Sequence, residues 1–548
     1  MSVPVIGSAG YRGSHLTGVL MAWIEFIHKK GNAICLLAVI FVILIIALRS
    51  IQEAYFTLPS FDGAINLQVP ENLIRYGRYA TRYNSIIDFD HCIQSGVPLL
   101  LPIYFVFLAL GKSTFTAQLV SSIYLILSAV VIYYFTALNS NRFFGLVCLL
   151  LFMLTPYLLR CGHHIYGEIP ALFYFLSSLV LLNRLEKNPD VPRMVLPFFV
   201  GFLYGLSCLT KTVMLIAAPS LLFFLMIDLF FIHKLKKKHC ALMFIGFILP
   251  IAAFECYKII QLGADMYSGW WAKQSSAIMT HAGVDTKYQA TTNLYTKMLI
   301  HKGNFCKFFR MNTFTMLCFL CIPPIIFIVN YSYRFIQRKR DQVNIALAIV
   351  CGTACTYMVW WIFITPTVRA WPRRIINGYI LQEIAFVISL YFLWKFLSAT
   401  NYKVHFSKKI IGGSVFTVML LVILFQGVVN VRGAGFLFEP SQEKLNAERI
   451  AKTIEMLPQK AKIFGFGWWQ APILSFLSNR MFLDIALYRL PSFPVKLQDT
   501  YFVIDYPESL DTVEFYVLEK TKNRLIEKHG YNYLYQIEYK MKKSRTLG

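Results

Sequence analysis

Three acidic residues stand at the borders of apolar segments, where a carboxylate can take part in proton transfer. Asp62 follows the first long apolar run, Glu168 directly precedes another, and Asp90 precedes the short apolar segment 97–111. A carboxylate that is partly shielded from water can accept a proton from a hydroxyl nucleophile. Asp62 is the first candidate for such a catalytic residue, Glu168 the second and Asp90 the reserve. The alternatives are a helix N-cap for Asp62 and a first-turn anion for Glu168.

Basic residues occur where apolar segments reach one common face of the predicted membrane domain. They are Arg160, Lys211, Arg369, Arg373 and Arg374. A charged group close to the membrane interior costs free energy unless its side chain reaches water or meets an anion. Arginine pairs with phosphate oxygens through two hydrogen bonds, and lysine supplies a point charge. All of them except Arg160 are therefore predicted to bind a phosphate, and the alternative is that each side chain only extends to water.

Two adjacent histidines offer a substrate or metal site. His163 and His164 precede Glu168, and two imidazoles with a carboxylate can bind a divalent metal. Neighbouring side chains on an extended segment point in opposite directions, which argues against shared ligation. The sequence therefore leaves both roles open for the pair, and the metal unknown. A further polar cluster, in the same loop as Asp62, contains Asp88, Asp90 and His91.

Membrane spans are the elements that must position these residues. Of 548 residues, 57% are hydrophobic and 15% are charged, whereas about 25% of the residues in soluble domains are charged. Apolar runs long enough to cross a bilayer predict about eleven helical spans. They are 32–49, 115–137, 143–160, 169–183, 195–210, 212–232, 240–259, 312–332, 342–364, 376–397 and 409–430.

Two shorter segments are predicted to lie at the membrane border. Segment 97–111 contains two prolines and is short for a span, which favours a re-entrant or interfacial segment. The segment after Asp62 has an apolar stripe of Ile65, Val69 and Leu73, which indicates an amphipathic helix on the membrane surface with Asp62 as its N-cap.

The distribution of basic residues predicts the orientation. The net charge is +25, and the basic residues fall in short clusters between spans, such as 234–238 and 334–340. This pattern is typical of contact with anionic lipid headgroups and of the positive-inside rule, and it does not favour nucleic acid as a partner. A cytoplasmic N-terminus, residues 1–31, follows, with loops 53–114 and 260–311 outside.

The tail, residues 431–548, differs in composition from the membrane domain. It contains an amphipathic helix, then a strand–loop–helix–strand pattern, and a further strand at TYFVIDYP. The sequence predicts a small α/β domain outside the cytoplasm. None of the twelve cysteines lies in it, so no disulfide framework is expected there.

Four motifs resemble those of a known superfamily. They are SFDGAINLQVPENLIRYGRYA, SGVPLLLP, GEIPALF and LSCLTKTVML. Their order and spacing resemble the GT-C glycosyltransferases, and within them the bacterial branch near protein O-mannosyltransferases and lipid A aminoarabinose transferases, similar to glycosyltransferase family 39. The resemblance covers roughly residues 30–430 and implies a GT-C catalytic domain over 32–430. It also implies a polyprenyl-phosphate sugar donor, a catalytic Asp62, and a second acidic position at Glu168, although GHHIYGE departs from the usual pattern there.

Residues and resemblance together predict a polytopic membrane glycosyltransferase of the bacterial inner membrane. It is expected to move a sugar from a polyprenyl phosphate to an acceptor hydroxyl on the outer face, with inversion, and with Lys211, Arg369, Arg373 and Arg374 at the donor phosphate. The acceptor is left open as lipid, glycan or protein, and a divalent metal is left open as cofactor. The alternative is a lipid-linked-sugar flippase or transporter, for which inverted repeats are expected and none is found in the sequence.

Overall fold

The structure, a computed structural model, describes most of the chain. The described residues are 14–83, 85–187, 195–281, 293–337, 343–367, 370–399, 439–465, 471–484, 500–505, 521–530 and 532–540. Over residues 14–399 the described chain is largely helical. The helices are α1 Ser14–Phe56, α2 Phe61–Tyr76, α3 Val97–Leu110, α4 Thr114–Asn139, α5 Arg142–Leu154, α6 Leu158–His163, α7 Glu168–Lys187, α8 Val195–Thr210, α9 Ala218–Ile227, α10 Lys237–Leu262, α11 Ala264–His281, α12 Leu294–Phe309, α13 Thr313–Ile336, α14 Ile345–Val359 and α15 Pro372–Ala399.

Eight helical segments among the described residues are long and apolar enough to cross a membrane. They are Asn32–Phe56, Thr114–Asn139, Glu168–Lys187, Thr212–Ile232, Lys237–Leu262, Thr313–Ile336, Ile345–Ile364 and Pro372–Phe396. The segment 212–232 begins with a 3-10 turn, Thr212–Ala217, and ends with a π turn, Asp228–Ile232. The structure therefore has the polytopic helical membrane domain that the composition predicts.

The short apolar segments differ in part from the predicted spans. The predicted span 143–160 is wrong in length: α5 has 13 residues and ends before Pro156, and Tyr157 has a φ of 63°, which helical backbone does not allow. The predicted span at 195–210 is a helix of 16 residues. Segment 97–111 is a helix of 14 residues, too short to cross unaided, as predicted. The predicted span 409–430 lies outside the described residues.

The α2 helix exists where it was predicted, but two of its expected features are wrong. Its N-cap is Ser60, and Asp62 is the second residue of its first turn. It does not lie on a surface with a single apolar stripe, because every residue from Asp62 to Asn72 is buried. The helix packs against α3 and against the tail, so polar and apolar faces are both covered by protein.

The tail forms a seven-stranded sheet together with the first loop. Its helices are α16 Gln442–Met456 and α17 Ala471–Ser478, and its strands are β3 Lys462–Gly465, β4 Phe482–Asp484, β5 Thr500–Asp505, β6 Thr521–His529 and β7 Asn532–Lys540. The first loop adds the hairpin β1 Ala80–Tyr83 and β2 Ser85–Asp88. The strand order is β2-β1-β4-β3-β5-β7-β6, with β1, β4, β3 and β5 mutually parallel. The α/β tail was predicted, whereas the two hairpins were not.

Buried charges join the first loop to the tail. The carboxylate of Glu71 on α2 contacts the guanidinium of Arg82 at 3.3 Å and the ammonium of Lys112 at 2.8 Å. Arg82 also donates a 2.9 Å hydrogen bond to the carbonyl oxygen of Ser475 on α17. Burial lowers the pKa of Lys112 to about 8. Because buried charges are tolerated only when they are paired, this network fixes the tail against the start of the membrane domain.

The shared sheet requires that the first loop and the tail lie on the same side of the membrane. We expect cysteines at Ser85 and Ser441, introduced separately without native cysteines, to react with an impermeant thiol reagent on intact cells. Reaction of one without the other would contradict the sheet. Reaction of both only after permeabilisation would reverse the predicted orientation.

Candidate functional site in the first loop

Asp62 is held where the first membrane span ends by a close backbone approach. The segment after α1 turns at Pro59 and Ser60 into α2, which places Asp62 in the first helical turn. At the next position, Gly63, a Cβ atom would overlap the carbonyl oxygen of His164. The absence of a side chain at Gly63 therefore lets α2 rest directly on the loop before α7, which brings Asp62 to the membrane helices.

Asp62 forms an ion pair with Arg373, at the start of α15. The pair joins Asp62 Oδ2 and Arg373 Nη1, and the two side chains are 12% and 15% exposed. The other carboxylate oxygen, Oδ1, accepts a 3.0 Å hydrogen bond from Gln94 Nε2. A charge-assisted bond in so little water is strong, so the pair connects the first loop to the last described membrane helix.

Two aromatic rings flank the guanidinium of Arg373. Its centre lies 5.1 Å from the ring of Tyr166 and 5.0 Å from the ring of Trp371. Ring faces attract a cation electrostatically and contribute about 0.5–2 kcal/mol each. The rings leave the guanidinium charged, and they fix its plane without using its hydrogen-bond donors.

Glu168 forms a second ion pair, with Lys211. Lys211 Nζ lies 3.0 Å from Glu168 Oε1 and donates a 2.8 Å hydrogen bond to the carbonyl oxygen of Tyr166. The carbonyl oxygen of Glu168 accepts a 3.0 Å bond from Asn377 Nδ2 on α15. Asp62 and Glu168 are thus each paired with a sequence-predicted cation, in two pairs that share Tyr166 as a neighbour.

A cavity of about 1120 Å³ opens beside the first of these pairs. Asp62 and Arg373 line it, whereas Glu168 and Lys211 do not belong to its wall. The other lining residues are Ser60, Phe61, Ile65, His91, Cys92, Gln94, Tyr157, Arg160, Cys161, Tyr166, Ala272, Lys273, Ser276, Ala277, Trp371 and Pro372. The wall is thus mixed: one carboxylate, several cations and aromatic rings surround a space that can hold a substrate of moderate size.

The turn at Asp90 forms one side of this cavity. Asp90 Oδ2 accepts a 2.6 Å hydrogen bond from Thr81 Oγ1, and Oδ1 accepts a 3.0 Å bond from the backbone N–H of Cys92. Burial raises the pKa of Asp90. The hydrogen bonds from His91, Cys92 and Thr81 outweigh burial and hold this pKa below its ordinary value. The bond to Asp90 raises the pKa of His91 to about 10. Asp90 is therefore engaged inside the turn, and His91 and Cys92 face the cavity.

The histidine pair has no suitable third ligand. Its rings lie 4.2 Å apart, and His163 Nδ1 contacts the carbonyl oxygen of Leu159. Burial lowers the pKa of His163 to about 4 and that of His164 well below its ordinary value, so both rings are neutral. Among the described residues, no group of three metal-ligating side chains includes either of them. Their predicted role at a substrate or a metal therefore stays a prediction.

Of the other predicted phosphate-binding residues, Arg374 lies next to Arg373 in sequence and Arg369 lies outside the described residues. The guanidinium of Arg374 lies 5.5 Å from the ring of Trp371. Arg369 lies outside the described residues, so its predicted role stays a prediction. Sequence reasoning missed Gln94 and Trp371, which orient Asp62 and Arg373. Only their nearness in sequence to the acidic loop and to Arg373 could have indicated them.

The Glu168–Lys211 pair is expected to support folding. In Lys211→Met the buried carboxylate of Glu168 loses its counter-charge, and a buried pair that loses one partner costs about 3–5 kcal/mol. We expect a clearly lower unfolding temperature for the purified protein in detergent. Lys273→Met, which removes an exposed lysine from the cavity wall, is the control and should unfold like the unmodified protein; equal temperatures for both variants would contradict the structural role of the pair.

Comparisons with known proteins place this geometry in a fold. No family model matches the chain, and no curated protein matches it either. The structure is similar to that of ArnT from Cupriavidus metallidurans bound to undecaprenyl phosphate, with a TM-score of 0.55 and 11% identity over 92% of this chain and 98% of that one. It is also similar to the apo oligosaccharyltransferase of Archaeoglobus fulgidus, with a TM-score of 0.50 and 12% identity over 81% of this chain and 64% of that one.

The second similarity extends to another form of the same enzyme. The Archaeoglobus fulgidus oligosaccharyltransferase in complex with Zn and sulfate matches with a TM-score of 0.50 and 13% identity, over 85% of this chain and 68% of that one. ArnT and oligosaccharyltransferase are members of the GT-C superfamily. The similarity to ArnT covers the tail as well as the membrane helices, as its 92% coverage requires. This chain therefore has the GT-C fold.

Proposed function

We propose that this chain is a membrane glycosyltransferase that moves a sugar from a polyprenyl phosphate to an acceptor hydroxyl, with inversion at the anomeric carbon. The observation that carries the proposal is the Asp62–Arg373 pair in the wall of the 1120 Å³ cavity. It combines a proton acceptor and a phosphate-binding cation at the border of the membrane. ArnT, whose fold is similar, binds undecaprenyl phosphate, which supports the same class of donor here.

The chemistry needs one proton acceptor and one anion-stabilising group. The acceptor hydroxyl attacks the anomeric carbon while the bond from that carbon to the phosphate oxygen breaks. Asp62 takes the hydroxyl proton and later releases it to water or to the departing phosphate. Arg373 neutralises the charge that develops on the phosphate in surroundings with little water. A single displacement of this kind inverts the anomeric configuration.

The ion pair also explains how the donor prepares the base. In the protein without substrate the Asp62 carboxylate is occupied by its ion pair with the Arg373 guanidinium. A donor phosphate that reaches the cavity competes for the guanidinium, because arginine pairs well with phosphate. Asp62, still held by Gln94 Nε2 at 3.0 Å, is then free to accept a proton. Donor binding and activation of the base become one event.

Glu168 and Lys211 affect the reaction indirectly. Lys211 bonds to the carbonyl oxygen of Tyr166, and the Tyr166 ring lies 5.1 Å from the Arg373 guanidinium centre. Because neither Glu168 nor Lys211 lines the cavity, we assign them the role of positioning residues for Arg373. Arg374, next to it on α15, and Arg369 remain candidates for further contacts to the donor phosphate.

The setting of the reaction follows from the predicted orientation. With a cytoplasmic N-terminus in the bacterial inner membrane, the cavity opens on the outer side, where the polyprenyl chain lies in the bilayer and the sugar reaches water. The acceptor is a lipid, glycan or protein, and the sugar is not specified by the residues of the wall. A lipid-linked-sugar flippase is the alternative, and it needs no proton acceptor.

Asp62→Asn separates these functions. Asparagine keeps the size of the side chain but accepts no proton, so we expect sugar transfer to fall by about 100-fold or more. The measurement is mass spectrometry of lipid-linked sugars and envelope glycans, in cells whose gene is replaced by the variant. We expect the donor to accumulate and the modified product to disappear, as in a strain without the gene.

The matched control is Asp88→Asn in the same loop. Asp88 pairs with Arg78, both are partly exposed, and neither lines the cavity, so its glycans should be normal. Near-normal transfer by folded Asp62→Asn protein would end the catalytic claim and would favour the flippase.

Arg373→Gln tests the phosphate contact. Hydrogen bonds to charged groups contribute about 1.5–3 kcal/mol, which corresponds to roughly a 10- to 100-fold loss of affinity. We expect undecaprenyl phosphate to bind the purified variant more weakly by that factor. Arg78→Gln, an exposed arginine of the first loop, should bind the lipid normally; equal affinity for both variants would show that Arg373 does not bind the phosphate.

A further inference from the structure

The turn Asp90–Cys92 brings three metal-ligating side chains together beside the cavity. A carboxylate oxygen, an imidazole nitrogen and a thiol sulfur of this turn all lie within 4.8 Å of one another. Among the described residues this is the group of three with such a spacing. His91 and Cys92 line the same cavity as Asp62 and Arg373, and the Asp90 carboxylate contacts the imidazole of His91 and the backbone N–H of Cys92.

The distance between the ligand atoms of His91 and Cys92 matches the spacing of two ligands around a tetrahedral metal ion. His91 Nε2 and Cys92 Sγ are in hydrogen-bond contact and 3.7 Å apart. Zinc bonds of about 2.05 Å to nitrogen and 2.3 Å to sulfur, at a tetrahedral angle, place those atoms about 3.6 Å apart. An ion can therefore take both ligands with hardly any movement of the turn.

Asp90 is placed to orient the imidazole. Its Oδ1 lies 3.1 Å from His91 Nδ1, so the proton on that nitrogen is retained when a metal replaces the proton on Nε2. A carboxylate that accepts a hydrogen bond from the far side of a ligating histidine is the usual partner of a metal site. Thr81 and the backbone N–H of Cys92 in turn hold the Asp90 carboxylate.

The backbone of the turn is fixed before any ion arrives. Phe89 has a φ of 49°, a left-handed conformation that is rare for an aromatic residue. Its N–H donates to the carbonyl oxygen of Tyr79 at 2.8 Å, and its own carbonyl oxygen accepts a 2.6 Å bond from Trp270 Nε1 on α11. A strained residue held from both sides is typical of a functional turn.

We propose that His91 Nε2 and Cys92 Sγ bind a divalent ion of the zinc class, with Asp90 as the residue that orients the imidazole. Two of the four tetrahedral positions then remain open toward the cavity for water or for oxygen atoms of a ligand. The nitrogen and sulfur donors favour zinc-class ions over magnesium and calcium, which prefer oxygen. Binding displaces protons from both ligands, so the affinity rises with pH.

The role of the ion toward a donor phosphate rests on the proposed function, but its binding to the protein does not. An ion with two open positions can hold a phosphate oxygen opposite Arg373. The ion then adds a second positive centre to the cavity wall that contains Asp62 and Arg373. Its own ligands belong to neither of the two buried ion pairs.

Cobalt(II) is the probe, because it adopts the same geometry and its bond to a thiolate gives a charge-transfer absorption in the near ultraviolet. The full-length protein in detergent is stripped with a chelator and titrated with Co²⁺ alone. We expect one ion per chain with the thiolate band, and no band in Cys92→Ser or His91→Ala. Asp90→Asn should keep the band and bind the ion about 10- to 100-fold more weakly.

Two controls keep the result specific. Cys256→Ser removes an exposed thiol of α10, and Asp88→Asn changes the same loop outside the turn; both should bind Co²⁺ like the unmodified protein. Thermal unfolding of each variant checks that it is folded. Absence of the band in the unmodified protein, or a full band in folded Cys92→Ser, would overturn the proposal.

Undecaprenyl phosphate then tests the contact with the donor. Its addition to the cobalt-loaded protein should shift the thiolate band, because a phosphate oxygen takes an open position on the ion. An unchanged band at saturating lipid would overturn that contact. The titration without lipid contains no sugar and measures no transfer, so failure of the metal site and failure of the glycosyltransferase proposal are distinguishable.

Discussion

The arrangement of the candidate site depends on a single ion pair between distant parts of the chain, Asp62 and Arg373. Asp62 comes from the first loop and Arg373 from the start of α15, so the pair joins the beginning of the membrane domain to its last described helix. In surroundings with little water neither charge is stable without the other. Several neighbours hold these two side chains in place: the rings of Tyr166 and Trp371, the amide of Gln94 and the backbone contact at Gly63. In the function proposed above, the donor phosphate has to replace Asp62 as the partner of Arg373.

The fold was largely predictable because membrane helices leave a direct trace in the sequence. Runs of apolar residues predicted the helices now seen at α4, α7, α10 and α13, since a bilayer requires length and hydrophobicity and little else. Tyr157 and Pro156 ended α5 early, which a count of apolar residues cannot detect. The hairpin β1–β2 was missed because its pairing partner, β4, lies almost at the other end of the chain.

The candidate site was predictable in its charges and not in its pairing. A carboxylate or arginine at a membrane border stands out in any apolar sequence, which is why Asp62, Glu168 and Arg373 were found. Their partners depend on how the helices pack, and the sequence offered no reason to join Asp62 to Arg373 or Glu168 to Lys211. His163 and His164 attracted attention by chemistry alone, whereas His91 was noted only as part of a polar cluster and Cys92 was not noted at all.

The seven-stranded sheet imposes an order of events on biosynthesis. The hairpin β1–β2 leaves the ribosome early, yet its next neighbour in the sheet, β4, is among the last segments to be made. Until then β1 has an unpaired edge, and Glu71, Arg82 and Lys112 lack the carbonyl oxygens of α17 that complete their network. Contacts between residues so far apart in sequence form slowly, because a long loop must close first. The nascent chain therefore inserts the described spans while the loop that carries Asp62 is unfinished, and the candidate site is complete only when the tail has been made.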